Sequence, residues 1–161
     1  MSSLIHAYCT YIRPLLEYNS VVWSPSNLGD IRRVESVQRK FTKRLPSFQN
    51  LSYTTRTEKL GLTTLELRRV YFDLVVCYKI VFNLIKVQFD DFFSFIPVTK
   101  TRGHPYRLFV NFAKNKVRKN FFAHRVVKYW NFLPADMVDF TSLSHFRQTI
   151  TQVDFSEFAC Y

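Results

Sequence analysis

Apolar residues recur at helical spacing along most of the chain, and this spacing predicts a series of helices. The first begins at Ser2 or Ser3 and is kinked or restarted by Pro14. The second is predicted over residues 28–45, ahead of Pro46. Six apolar residues form one stripe along it: Leu28, Ile31, Val34, Val37, Phe41 and Leu45.

The second half of the chain repeats the helical pattern. A short turn or helix is predicted over residues 51–61, followed by a long helix from Thr63 or Thr64 to about Lys86. From residue 70 to 85 this long helix is apolar on nearly every side, which favours the centre of a bundle. Two further helices are predicted, and their inward residues are Phe122, Val126, Tyr129, Trp130 and Leu133 in one and Leu143, Phe146 and Ile150 in the other. Residues 151–161 are predicted to be a frayed tail.

Residues 96–120 interrupt the helical pattern. Helix-breaking residues occur at Pro97, Gly103 and Pro105. Residues 106–112 alternate weakly between apolar and polar side chains, which allows a strand there. The predicted fold is therefore mainly α, with a helical bundle over residues 1–95. A basic connector, with room for a short β-hairpin, and two carboxy-terminal helices would occupy residues 96–161.

Composition narrows the class of protein. Gly is scarce, with 3 in 161 residues, which argues against a turn-rich β fold. The three cysteines are widely spaced, so they predict a reducing, intracellular setting without a disulfide framework. The most apolar stretch, residues 70–85, is interrupted by Asp73 and Lys79, and it is shorter than the roughly 20 residues that a membrane-spanning helix needs. We therefore expect no membrane association.

The net charge of +11 is concentrated in two separate blocks. Residues 31–69 hold ten Lys and Arg against three Asp and Glu, and residues 96–130 hold nine against none. On the second predicted helix, six cations share the side opposite the apolar stripe: Arg32, Arg33, Arg39, Lys40, Lys43 and Arg44. Like charges at i,i+4 destabilise a helix unless an anion offsets them, so this face predicts a phosphate-rich partner. A solvated face with no partner is the alternative.

Catalytic and metal sites are not predicted. Residues 89–91 (FDD) resemble the paired aspartates of polymerases, but the spacing differs and no strand upstream supplies a third carboxylate. His6 and Cys9 have ligand-like spacing without a second pair to complete a zinc site. With no Gly-rich phosphate loop either, we expect no cofactor and no small-molecule substrate.

Several short motifs, in order and spacing, resemble the region downstream of the palm in the reverse transcriptases of jockey-type non-LTR (LINE-like) retrotransposons. They are residues 12–18 (IRPLLEY) and 23–25 (WSP), 34–40 (VESVQRK), 60–62 (LGL), 65–69 (LELRR), 73–74 (DL), 78–80 (YKI), 101–104 (TRGH), 121–122 (FF), 125–127 (RVV), 130–134 (WNFLP) and Phe146. One departure is Thr57, where the family usually has Leu in a Tyr-x-x-Arg-Leu stretch.

The resemblance implies a division of roles. The helices through about residue 86 would be similar to the thumb that grips the template–primer duplex, and the remainder to the carboxy-terminal extension of the family. The fingers, the catalytic palm and the endonuclease would lie upstream, so this fragment would have no polymerase active site. The site of action would be nuclear.

The expected function is non-catalytic binding of RNA or DNA template–primer through phosphates rather than base edges. The candidate contacts are Arg32, Arg33, Arg39, Lys40, Lys43, Arg44, Arg68, Arg69, Arg102, Arg107, Arg118, Lys119 and Arg125. For Arg68, Arg69, Arg102 and Arg125 a structural ion pair is the alternative. Among the motif residues, Leu16, Tyr18, Trp23, Trp130 and Leu133 are predicted to lie in the core. Two other functions stay open, an inert relic of a decayed element and a helical protein-interaction module.

Overall fold

The helical pattern of the sequence is reproduced in the computed structural model, which describes residues 2–97 and 103–158. Within these residues the chain is mainly helical, which confirms the predicted fold class. The described residues form two compact units, one reaching to Arg69 and the other beginning at Val70. The functional division after residue 95 stays a prediction.

The first unit begins with a helix that changes its pitch. Helix α1 (Ser2–Ala7) leads into a π-helical turn (Tyr8–Ile12), and helix α2 (Arg13–Glu17) follows with Pro14 in its first turn. Proline is favoured there because its missing N–H would have no intrahelical partner. The change of helix type just before Pro14 agrees with the predicted kink or restart.

Helix α3 (Ser20–Trp23) is more exposed than its sequence predicts. Tyr18, just before it, is 79% exposed and Trp23 is 41% exposed, so their predicted burial is wrong. Leu16 is only half-buried. Trp23 donates its indole N–H to the carbonyl oxygen of Tyr18 at 2.6 Å, which satisfies the ring locally without a core partner.

Helix α4 (Leu28–Arg44) has the predicted bounds, but its buried face is displaced from the predicted stripe. The Asn27 side chain caps it by accepting from the Gly29 amide at 3.0 Å. Its buried residues are Ile31, Glu35, Gln38 and Thr42, whereas Leu28 and Val37 of the predicted stripe are exposed. The displacement arises because polar groups from elsewhere in the unit bond to Glu35 and Gln38, as described below.

The next two helices are bounded by local signals. Helix α5 (Tyr53–Leu60) is capped by Ser52 and ends at Gly61, whose φ of 61° is the left-handed conformation that favours glycine. Helix α6 (Leu65–Val81) is capped by Thr64, as predicted. It stops before the predicted end at Lys86 because the chain turns at Asn83, which also has a positive φ of 53°.

The second unit contains the predicted carboxy-terminal helices and a dense aromatic core. Helix α7 (Lys116–Asn120) is followed by α8 (Phe122–Phe132) and α9 (Leu143–Ile150). Trp130 is fully buried between His104, Phe140 and Phe146, and its indole N–H donates to the Tyr106 carbonyl oxygen at 2.7 Å. The core role predicted for Trp130 is confirmed.

The basic connector contains one antiparallel bridge, between Phe95 and Leu108, and no strand among its described residues. The strand that the sequence allows over residues 106–112 is therefore not formed, although the bridge matches part of the possible hairpin. Asn131 explains the difference, because its amide accepts from the Leu108 N–H and donates to the Leu108 carbonyl, both at 2.8 Å. A side chain thus satisfies the backbone groups that a neighbouring strand would otherwise bond.

The carboxy-terminal segment is packed rather than frayed over its described residues. Val153 and Phe155 are buried, and a 3₁₀ turn covers Ser156–Phe158. The Phe155 ring meets Tyr71 and Tyr129 edge to face, with centroids at 6.0 and 6.4 Å. For residues 151–158 the prediction of fraying is wrong, because aromatic contacts offset the entropy of ordering this segment. Residues 159–161 lie outside the described part of the chain.

Candidate nucleic-acid interface

All six cations predicted on one side of α4 are exposed to solvent: Arg32, Arg33, Arg39, Lys40, Lys43 and Arg44. One of them, Arg33, lies 3.5 Å from Asp30, and both of these side chains are open to solvent. Such a pair contributes little to stability, so it neutralises the face only weakly. We call these six residues the α4 basic face.

Gln38, on the opposite side of α4, is completely buried and makes three hydrogen bonds. It accepts from the Tyr8 hydroxyl at 3.1 Å and donates to the Tyr53 hydroxyl and the Thr63 carbonyl, both at 3.0 Å. These partners come from three other segments of the first unit. Gln38 therefore fixes the rotation of α4 about its axis.

Glu35, one turn earlier, ties α4 to the start of α6. Its carboxylate accepts from the amides of Leu65 and Glu66, both at 3.2 Å, and from the hydroxyl of Tyr53. The first amides of a helix lack intrahelical acceptors and carry a partial positive charge, so a carboxylate suits this position. Sequence reasoning missed Glu35 and Gln38 as structural residues, although Ile31, Glu35, Gln38 and Thr42 share one helical face in the sequence.

The tyrosines of this network remain hydroxyl donors. Burial first, and then the neighbouring Glu35 carboxylate, raises the pKa of Tyr53 far above its ordinary value. The same two causes, in the same order, raise the pKa of Tyr8. Both hydroxyls therefore keep their protons at neutral pH and donate to Glu35 and Gln38.

Arg39 links the network to the basic face. Its guanidinium lies over the Tyr53 ring, 4.9 Å from the centroid, while the residue remains exposed. A guanidinium stacked on a ring keeps its in-plane donors available to a phosphate. Arg39 is thus the cation of the face whose position is best fixed.

Arg68 and Arg69 are placed differently from the α4 cations. Arg68 forms a bidentate pair with the buried carboxylate of Glu17, with one contact at 3.0 Å. Arg69 is only 3% exposed. For Arg68 the ion-pair alternative is the one observed, and Arg69 is too buried to reach a phosphate without rearrangement.

Arg125 in the second unit also forms a buried ion pair. It donates to both carboxylate oxygens of Asp73, at 2.7 and 2.8 Å, and to the Asn120 carbonyl at 3.0 Å. Asp73 is 2% exposed. The ion-pair alternative therefore describes Arg125, which joins α8 to α6 through this carboxylate.

The remaining candidate cations lie in or near the connector. Arg118 and Lys119 are exposed on α7, and Arg118 donates to the His124 ring at 3.3 Å. Arg107 is half-buried, and its aliphatic chain passes Gly103. Arg102 lies outside the described residues. The structure thus brings the α4 cations together on one face and leaves Arg118 and Lys119 as a second exposed pair.

The remaining sequence features were the paired aspartates, a metal site and a membrane span. Asp90 and Asp91 are exposed in a 3₁₀ turn (Phe89–Asp91). Among residues 2–97 and 103–158, no three His, Cys, Asp or Glu side chains are grouped to hold a metal ion. None of the described helices is long and apolar enough to cross a membrane.

Comparison of the chain with protein-family models, with curated proteins and with solved structures found no match. The resemblance to non-LTR reverse transcriptases therefore still depends on the short motifs of the sequence.

Proposed function

We propose that the α4 basic face binds the phosphate backbone of nucleic acid, and that the chain is the thumb and downstream part of a jockey-type non-LTR RNA-directed DNA polymerase. The observation that carries the binding proposal is the exposure of six cations on a helix whose opposite face is fixed by buried hydrogen bonds.

The charges on α4 favour an anionic partner over a solvated face. Arg39 and Lys43 stand at i,i+4, as do Lys40 and Arg44, so like charges repel along both rows. Within the described residues, Lys40, Lys43 and Arg44 make no hydrogen bond or ion pair. A phosphate backbone supplies closely spaced negative charges that relieve this repulsion.

The proposed mechanism is electrostatic and shape-based. Lysine and arginine contacts to phosphate fix the position of a duplex without reading its bases. The role is non-catalytic, since the paired aspartates of the parent polymerase would belong to the palm upstream. The motif at residues 34–40 supports the assignment indirectly, because Glu35 and Gln38 position the helix while Arg39 and Lys40 present charge.

A protein-interaction module is the second candidate, and one observation favours it. Four apolar side chains between residues 11 and 22 are largely exposed: Tyr11, Leu15, Tyr18 and Val22. Clustered exposed apolar side chains mark surfaces that another protein covers. This role would use residues separate from the α4 basic face.

The binding proposal is tested by equilibrium binding of a labelled 20-base-pair DNA duplex and of an RNA–DNA hybrid at several salt concentrations. Lys40→Glu/Lys43→Glu should reduce the log–log salt slope by about 1.8, or about 0.9 for each DNA phosphate that no longer has a lysine beside it. These lysines are chosen because, unlike Arg39, neither stacks on the Tyr53 ring.

The matched control is Lys86→Glu/Arg147→Glu, which changes the net charge equally at two exposed residues off the face. It should leave the slope nearly unchanged. An unchanged slope in the α4 variant, with thermal melting intact, would overturn the proposal. Equal reductions of the slope in both variants would also overturn it, because the salt dependence would then follow from net charge alone. The polymerase assignment is tested separately by whether the coding DNA upstream encodes a palm with paired aspartates.

A further inference from the structure

A pocket of about 390 Å³ opens beside the connector in the second unit. Its lining residues are Val110, Asn111, Phe112, Ala113, Lys119 and His124. The pocket joins a non-helical stretch of chain to the end of α7 and the start of α8. It therefore combines an aromatic ring, an amide and a cation in one concave site.

Phe112 is the most exposed phenylalanine of the described chain, at 82%. Phe109 and Phe121, on either side of it in the sequence, are half-exposed or more. Three large rings open to water within 13 residues leave apolar area that burial would stabilise. Their exposure leaves these three rings accessible to a ligand.

The charge around the rings points to an anion. Lys114, Lys116, Arg118 and Lys119 are all exposed, and the sequence has no acidic residue from position 92 to 135. The Arg118 side chain donates to a histidine ring rather than to a carboxylate. A ligand here must therefore combine negative charge with a flat apolar face.

We propose that this pocket binds single-stranded nucleic acid, with a base stacked on Phe112 and the adjoining phosphates held by Lys119 and Arg118. Unpaired bases expose the faces that stacking requires, whereas a duplex hides them. The ligand is nucleic acid, as in the proposed function. The site lies in a different unit from the α4 basic face, however, and it would bind single strands rather than a duplex.

A membrane surface would also suit cations and aromatic rings, but the local backbone disfavours it. Interfacial binding uses an amphipathic helix with a continuous apolar face. Phe109 and Phe112 lie outside any helix, and α7 has only five residues. Exposed rings that do not form one continuous face can stack on the individual unpaired bases of a single strand, but they suit a continuous lipid surface less well.

The test compares the full chain and its variants on a labelled 12-nucleotide oligo(dT), an abasic strand with the same number of phosphates, and a 20-base-pair duplex. Phe112→Leu keeps an apolar side chain but removes the aromatic face. It should weaken oligo(dT) binding at least about fivefold, the low end for loss of one stacked base. Its binding to the abasic strand and to the duplex should stay within twofold of wild type.

Two further variants serve as controls on the nucleic-acid ligands. Tyr11→Leu removes another largely exposed ring, from the other unit, and should bind oligo(dT) normally. Lys119→Glu should weaken binding to oligo(dT) and to the abasic strand alike, because it removes a cation that holds phosphate in both.

Wild-type oligo(dT) affinity in Phe112→Leu would overturn the proposal, and so would equal weakening on oligo(dT) and the abasic strand. Loss of binding to anionic phosphatidylserine vesicles in Phe112→Ala, with oligo(dT) affinity intact, would assign the surface to membranes instead. Failure of the α4 proposal would appear on the duplex with Lys40→Glu/Lys43→Glu, so the two results are independent.

Discussion

The Asp73–Arg125 pair offers a decisive test of whether Arg125 serves the fold or a ligand. Both carboxylate oxygens of Asp73 accept from the guanidinium, and the side chains are 3% and 12% exposed. Removing one partner of a buried pair costs about 3–5 kcal/mol because the other charge remains buried without it. Arg125→Ala should therefore lower the free energy of unfolding by about that amount.

The destabilisation is large on the scale of melting temperatures. In a chain of this size 1 kcal/mol corresponds to about 2–4 °C, so we expect Arg125→Ala to melt about 6–20 °C below wild type. Arg125→Lys should be destabilised less, since it keeps the charge but not the two-pronged pairing. Asp73→Leu/Arg125→Leu should recover part of the stability, because no buried charge is left unpaired.

The assay is thermal and urea unfolding followed by far-ultraviolet circular dichroism, with Arg147→Ala as an exposed control that stays within about 0.5 kcal/mol. Duplex binding is then measured well below each melting temperature. The structural assignment of Arg125 would be refuted if Arg125→Ala melted like wild type while its salt slope fell by about 0.9, the value for one phosphate.

Two further predictions concern buried polar groups. Glu35→Ala deprives the Tyr53 hydroxyl and two backbone amides of their acceptor and should cost about 3 kcal/mol or more in urea unfolding, at roughly 1 kcal/mol or more for each unsatisfied group. Glu35→Gln keeps one acceptor oxygen and should cost less; equal midpoints for Ala and wild type would contradict the network. Burial lowers the pKa of His104. The Nε2 of His104 donates to the Trp130 carbonyl oxygen at 2.9 Å, and its buried Nδ1 has no hydrogen-bond partner among the described residues. The unfolded chain therefore takes up the proton more readily, so stability should fall as the pH drops below about 6.5, and His104→Gln should flatten that fall; an identical pH profile in the variant would assign it to other groups.

Several helix ends, though not the end of α6, could be predicted from the sequence because their causes are local. Asn27 caps α4, Thr64 caps α6, and Pro46 and Pro134 follow α4 and α8 closely. Each of these signals acts on backbone groups within a few residues. The α4 basic face was predictable for the same reason, since helical spacing alone puts its cations on one side.

Long-range pairing was not predictable from periodicity. The polarity of Glu35 and Gln38 favours the solvent side, yet their partners arrive from residues 53 and 63–66. Arg68 and Arg125 carry the same charge as the α4 cations, but their carboxylates lie 51 and 52 residues away. A single sequence gives no distance between such residues, so structural and ligand-binding arginines look alike in it.

The carboxylate of Glu35 has a consequence for the exchange of backbone hydrogens with solvent. The first amides of a helix ordinarily exchange fast, because they have no intrahelical acceptor and fray readily. In α6 the amides of Leu65 and Glu66 are instead held by a side chain about thirty residues earlier in the sequence. Their hydrogens can exchange only when α4 and the start of α6 separate. The exchange rates of these two amides therefore report the opening of the first unit, whereas first-turn amides of most helices exchange too fast to do so.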